Sequence, residues 1–191
     1  MILNKFNYIR KMSETKVITG KVRFSYANVH TARSMDEGSE PKYSTAILIP
    51  KSDKKTIAAC QKAIKNAIEK GINEKWNGKK PANLKIPLRD GDEERPDDPV
   101  YENCYFFNAS SKNKPQIVDA DLNPIMSQDE FYSGCYGRAS INFYPFNVSG
   151  NKGIAAGLNN LQKLEGGERL GGGSSAEDDF AEDFEENPLL G

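Results

Sequence analysis

Residues 135–146 read Cys-Tyr-Gly-Arg-Ala-Ser-Ile-Asn-Phe-Tyr-Pro-Phe. Side chains alternate along a strand, so Cys135, Gly137, Ala139, Ile141 and Phe143 share one face. They are small or apolar and suit a core. The opposite face carries Tyr136, Arg138, Ser140, Asn142, Tyr144 and Phe146, which combine rings, a cation and hydrogen-bonding groups. An unpaired polynucleotide needs this mixture: rings for bases, positive charge for phosphate. Each stacked base is worth about 1–3 kcal/mol, whatever the base. The plainer alternative is a half-exposed strand whose tyrosines pack beneath a loop.

The segments on either side decide the fold. Val17 to Ala27 alternates, with Ile18, Val22 and Phe24 facing one way and Thr19, Lys21, Arg23 and Ser25 the other; Gly20 marks a bend or bulge. Residues 28–42 form a polar connection containing the only histidine. Tyr43 to Ile49 is apolar and β-branched and reads as a buried strand ending at Pro50. The clearest helix follows. Ser52 or Asp53 caps it, Ile57, Cys60, Ile64, Ala67 and Ile68 recur at helical spacing, and Gly71 suits its exit. Trp76 beyond it reads as a core anchor, with a stacking platform as the alternative. Residues 76–102 lack periodicity and are rich in proline and acid. Cys104 to Ala109, Gln116 to Val118 and Ile154 to Leu164 complete the strands, with Gly153 and Gly157 marking close backbone approach. Strands, one helix, then more strands do not make βαβ units. The order predicts a mainly β chain, an OB-fold-like antiparallel barrel with one inserted helix.

Charge is distributed unevenly. All 26 Lys and Arg precede a Gly-Gly-Gly-Ser-Ser hinge at residues 171–175, whereas residues 177–191 hold seven acids and no base. The body is therefore about +6 in a chain of net charge −1. The expected boundaries are a flexible extension at 1–16, the barrel at 17–165, a Gly/Ser-rich linker at 166–176 and a disordered acidic tail at 177–191. Met12 is an alternative start. Acidic tails often serve solubility alone. Here the hinge gives a reach of some tens of ångströms, the local concentration is of order millimolar, and Phe180 and Phe184 give the tail something to insert. Asp178, Asp179, Phe180, Asp183 and Phe184 are its candidate contacts, against the body or against partners. No run approaches the roughly 20 apolar residues of a membrane span, and the first eleven residues lack the apolar centre of a signal peptide. Three well-separated cysteines fit reduced thiols in a cytoplasm.

Further candidates for polynucleotide contact are Lys21 and Arg23 on the first strand, Tyr105 or Phe106 as another ring, and Lys112 and Lys114 flanking a turn. A charged turn is the bland explanation for the last two. The rival enzyme reading gathers Mg²⁺ on Asp90, Asp92, Glu93, Glu94, Asp97 and Asp98 for a nuclease. Against it, the cluster sits in a proline-rich loop with Arg89 and Arg95 at hand. His30, Cys104 and Cys135 lack the paired short spacing of a zinc site, and no phosphate-binding G-x-x-x-x-G-K-[ST] loop is present. No metal or other cofactor is expected. A third class, a purely structural protein, leaves the tail and the Tyr/Arg strand without a purpose.

Six segments carry a resemblance: TGKVRFSYANV (19–29), EPKYSTAILIPKSD (40–53), LKIPLRDGDEERPDDPVY (84–101), FYSGCYGRASINFYPFN (131–147), NKGIAAGLNNLQKL (151–164) and SAEDDF (175–180). With them the chain resembles the single-stranded-DNA-binding proteins of tailed phages, similar in design to the helix-destabilising proteins of short-tailed phages. The resemblance implies an OB-fold, binding of single strands without sequence preference, a regulatory acidic C-terminus and no catalysis. It also implies a place in phage DNA replication or recombination in the bacterial host cytoplasm. The implied partners are single-stranded DNA and, through the tail, phage or host replication and recombination proteins, with a homodimer left open. One departure stands out: related proteins commonly end on an aromatic residue, and this chain ends Pro-Leu-Leu-Gly.

Overall fold

The computed structural model describes residues 14–34 and 36–171. Its strands are β1 (Lys16–Ile18), β2 (Val22–Arg33), β3 (Lys42–Pro50), β4 (Arg89–Asp90), β5 (Cys104–Ser111), β6 (Gln116–Val118), β7 (Tyr136–Val148) and β8 (Asn151–Glu165). Helix α1 spans Lys54–Glu74, α2 is the short Gly91–Glu94, and a 3-10 turn covers Pro99–Tyr101. Strands β2, β3, β5, β8 and β7 pair in that order and β7 pairs back onto β2. Only β5–β8 among these is parallel. A closed five-stranded barrel of this kind is the expected OB-fold. Closure removes the exposed edges that an open sheet of this size would present.

The barrel interior follows strand parity. Val22 and Phe24 from β2, Ile47 and Ile49 from β3, Phe107 and Ala109 from β5, Ala139, Ile141 and Phe143 from β7, and Ile154, Leu158 and Leu161 from β8 are all buried. The expected inner face of β7 is the observed one. Helix α1 packs against β7, β1 and β8. Asp53 caps it by accepting the Thr56 amide at 3.0 Å. Its apolar stripe of Ile57, Cys60, Ala63, Ile64 and Ala67 enters the core, each isoleucine contributing about 1.5–3 kcal/mol by leaving water. Burial pushes the Cys60 thiol up to about 12, so it packs as a small apolar group. Trp76 is the core anchor expected of it: 3% exposed, its indole N–H donates to the Phe146 carbonyl at 3.2 Å.

Four local expectations change. The first strand breaks in two around Gly20, where a Cβ would sit 2.5 Å from the Asp53 carboxylate. The break shifts parity, so Val17 is buried and Ile18 is 58% exposed. Residues 28–33 extend β2 rather than joining a loop, and His30 Nε2 lies 3.0 Å from the Phe131 carbonyl oxygen. Gly71 does not end α1; it lies inside the helix, where the Trp76 ring and Pro145 leave no room for a side chain. Packed chain also continues past residue 165. The Leu170 amide donates to the Ser133 carbonyl at 2.8 Å, and the Tyr132 hydroxyl to that of Gly167 at 3.0 Å. The acidic tail lies outside the described residues. Among the described residues no helix is long and apolar enough to cross a membrane.

Candidate nucleic-acid interface

A trough crosses the outer face of β2, β3, β5 and β8. Cross-strand register places Ser25 opposite Ala46 and Ala46 opposite Asn108; Asn28 faces Ser44, and Ser44 faces Ser110. Ser110 then pairs with Gly157 of β8. The floor is therefore small and mostly polar, leaving depth for a flat ligand. One cavity of about 460 Å³ is walled by Tyr26, Arg33, Lys42, Arg95 and Tyr101. A second of about 460 Å³ is walled by Lys85, Arg89 and Phe146, and shares Asn108 and Ser110 with the first. Together they make one path with rings and cations at both ends.

Tyr26 is held there by backbone geometry. The β2–β3 register slips between Ser25 and Asn28, and Tyr26 adopts φ +47°. A bulky aromatic in the left-handed region is an outlier that its surroundings must hold in place. The bulge turns its ring outward, 60% exposed. On β7 Tyr144 is 39% exposed and stands opposite Ala155 on β8. Its ring lies 3.6 Å from where a Cβ on Gly157 would be.

Residues 89–103 form a strap over part of this face. Strand β4 pairs with β5, and Tyr101 packs edge-on against Phe106 with centroids 4.8 Å apart. Ala46, Leu48, Tyr101 and Phe106 thereby make a second, small core outside the barrel. The strap is pinned by Lys51, whose ammonium lies 2.7 Å from both Asp90 and Asp92. Asp92 also accepts the Asn103 amide at 2.8 Å. The Lys51 ammonium and the Asn103 amide hold the Asp92 carboxyl below the usual carboxylate range, and the two carboxylates raise the Lys51 pKa. A carboxylate with a depressed folded pKa contributes stability above its unfolded pKa and loses it as the pH falls through the folded one. Lys51→Met is therefore expected to lower the melting temperature at neutral pH, and the gap from the parent protein closes on acidification through that range. A gap that is flat from neutral to strongly acid pH refutes the clamp.

Four acids of the strap have partners within the protein. Besides Asp90 and Asp92 on Lys51, Glu94 pairs with Arg89 at 3.3 Å and Asp98 caps the 3-10 turn by accepting the Val100 amide at 3.1 Å. Among the described residues no group of three His, Cys, Asp or Glu side chains converges for a metal ion.

The residues singled out from sequence fall into three groups. Phe146 lines the second cavity, and Tyr144 stands beside it on β7, opposite Ala155. Lys112 and Lys114 sit beyond the end of β5, at the mouth marked by the Tyr43–Ser111 pair, where Lys112 meets Glu40 at 2.6 Å. Lys21, Arg23, Tyr136 and Arg138 gather instead on the β2–β7 seam. There Lys21 and Arg23 cover the Tyr136 ring at 5.9 and 5.3 Å, Lys21 pairs with Glu165 at 3.0 Å, and Arg138 donates to the Thr19 carbonyl at 3.0 Å. Arg23 donates to the carbonyls of Gly134 and Glu168 at 3.3 and 3.1 Å. Phe106 is a correction: it is fully buried, roofed by Tyr101 and by Arg89 4.3 Å from its ring centroid, so no base reaches it. Tyr105 points toward the main core beneath Lys51, 5.3 Å away. Asp178, Asp179, Phe180, Asp183 and Phe184 lie outside the described residues. Sequence reasoning misses Tyr26, Arg33, Lys42 and Arg95. No sequence signal marks the first of them, because the bulge that exposes Tyr26 is set in the pairing of β2 with β3.

Comparison with known proteins bears on the family and the fold. The family model described as "Enterobacter phage Enc34, ssDNA-binding protein" matches residues 15–190. The p50 protein of Acyrthosiphon pisum secondary endosymbiont phage 1 is 30% identical over 188 residues, covering 92% of this chain and 98% of that protein. The single-stranded DNA-binding protein of bacteriophage Enc34, solved in complex with ssDNA, superposes with a TM-score of 0.71 at 26% identity, over 82% of this chain and 90% of that one. The gp2.5 single-stranded DNA-binding protein of bacteriophage T7 shares the fold, with a TM-score of 0.59 at 14% identity over 92% of this chain and 98% of its own.

Proposed function

Since the chain belongs to the phage ssDNA-binding family that includes the Enc34 protein, we propose that it binds single-stranded DNA without sequence preference in the trough across β3, β5 and β8. The observation that carries this reading is the exposed Tyr26 ring in the wall of the first cavity, with the exposed Tyr144 ring beside Ala155 and Gly157 of β8 across a floor of small side chains. Bases stack on Tyr26, Tyr144 and Phe146. Arg33, Lys42, Arg95 and Lys85 line the same path for phosphate, and Lys112 and Lys114 extend it at the mouth. The seam group has a supporting part: Lys21, Arg23 and Tyr136 hold residues 165–170 against the barrel, and Arg138 ties β7 to Thr19. This is binding and positioning with no bond-making step, carried out on DNA in the host cell during replication or recombination.

The acidic tail, 177–191, competes with DNA for cationic surface and recruits replication or recombination proteins through Asp178, Asp179, Phe180, Asp183 and Phe184. Its point of departure supports the competition: Gly171 lines a cavity of about 340 Å³ with Tyr26 and Tyr101, beside the trough. The test of binding is a titration of fluorescent oligonucleotides of several lengths, with and without Mg²⁺, against duplex of the same sequence. Retention of intact single strands and much weaker duplex binding are expected, because duplex bases are already stacked. Phosphate contacts release counterions, so log affinity falls linearly with log salt, by about 0.7 per phosphate neutralised. Cleavage with Mg²⁺ overturns the reading in favour of a nuclease, and no retention at modest salt removes it.

A further inference from the structure

The positive charge of this protein is not concentrated at the trough. Residues 54–80, which are α1 and its exit, hold eight lysines and two glutamates. The rest of the described chain has fifteen Lys and Arg against eighteen Asp and Glu. Helical geometry turns Lys54, Lys55, Lys62 and Lys65 away from the buried stripe of Thr56, Ile57, Cys60, Ala63, Ile64 and Ala67, and all four are exposed. Among the described residues the only ion pair within 54–80 is Lys70–Glu74, at 4.0 Å. Trp76, the one large ring in this stretch, is buried, so this face offers charge without a stacking platform. Lysine ammonium groups on flexible stems suit clustered carboxylates as well as phosphates, and impose no planar geometry.

We propose that this lysine face of α1 is a second docking site for the protein's own acidic segment, residues 177–191, which settles there when a DNA strand holds the trough. This rests on the reading that the tail competes with DNA. Two observations select the tail as occupant. Its seven carboxylates complement a segment, residues 54–80, that has a surplus of six positive charges and turns four lysines to one exposed face of α1. Its departure point is also close along the fold: the Gly20 amide donates to Thr56 of α1 at 2.8 Å, and the adjacent Lys21 pairs with Glu165, six residues before Gly171. From Gly171 to Glu186 the chain extends to about 50 Å at most, enough to lie along a 21-residue helix about 30 Å long. Docking on α1 would lower the fraction of time the tail spends in the trough and so ease strand entry.

The test is a cycle between Lys55→Gln/Lys62→Gln/Lys65→Gln and truncation after Gly171, read by oligonucleotide affinity at low salt. The barrel strands all lie within residues 16–165, so truncation leaves them whole, and unchanged melting curves check that the exposed substitutions leave the fold intact. In the full chain the triple substitution is expected to weaken oligonucleotide binding several-fold, because the tail loses its alternative site. In the truncated chain it is expected to change affinity less than twofold. Equal loss in both backgrounds assigns the face to DNA and overturns the proposal; no loss in either leaves the face without a role and also overturns it. A photo-crosslinker at Phe180 in the full chain with oligonucleotide bound gives an independent readout, expected to label residues 54–75 and to stop doing so at high salt. Labelling elsewhere refutes docking on α1. Affinity unchanged by truncation alone removes the competition reading, while the crosslink still reports docking.

Discussion

Replacing Tyr26 and Tyr144 together by alanine lowers affinity for a single-stranded oligonucleotide by about thirty-fold to twenty-thousand-fold. Each stacked base is worth about 1–3 kcal/mol, and each 1.4 kcal/mol is a factor of ten. The two rings stand on different strands, so their contributions add. Both are exposed, 60% and 39%, so neither substitution opens a cavity in the core, and melting curves provide the check. The charge of the protein is unchanged, so the slope of log affinity against log salt stays the same while the line drops. That parallel drop separates lost stacking from lost phosphate contact. A folded double variant that binds within about threefold of the parent refutes the trough as the place where bases stack. Arg33→Gln with Lys42→Gln gives the converse pattern, a flatter slope.

Sequence is informative here wherever one strand can be judged alone. The inner face of β7, Gly137 through Phe143, follows from parity, as do the apolar stripe of α1 and the burial of Trp76. Tyr144 and Phe146 lie on the predicted outer face, Phe146 lining the second cavity and Tyr144 beside it opposite Ala155. Reasoning fails where a second element decides exposure. Phe106 has the parity of an outer residue, yet Tyr101, five positions earlier, closes over it through a strap that has no periodicity to read. Tyr136 and Arg138 share a face with Tyr144, but the twist of a thirteen-residue strand carries them round to the β2 seam, where cations and carbonyls occupy them. Tyr26 escapes notice because a bulge shifts parity within β2, and the reason for the bulge lies in the pairing with β3. In the charge pattern a basic body carries an acidic arm. The fold shows that four lysines of its most basic stretch, residues 54–80, share one exposed face of α1.

Truncation after Gly171 tightens binding of a single strand, by about tenfold at low ionic strength, and the effect shrinks as salt rises. The tethered segment acts as a competitor at a local concentration of order millimolar. A carboxylate-rich segment that binds cationic surface with a dissociation constant near ~0.1 mM would therefore occlude its site about nine-tenths of the time. Salt weakens the DNA and the competitor together, since both depend on charge. The apparent affinity of the full chain therefore falls less steeply with salt than that of the truncated chain, because part of the loss is returned as the tail lets go. The two lines of log affinity against log salt converge at high salt, and the truncated protein shows the steeper one. Convergence distinguishes competition from a tail that merely stabilises the fold, which would give parallel lines. Replacing Phe180 and Phe184 by alanine while keeping all seven acids separates the remaining contribution: a competitor held by charge alone retains the full effect, whereas one that inserts rings beside Tyr26 loses part of it. Equal or weaker binding by the truncated protein at low salt ends the case for a tail that contends with DNA.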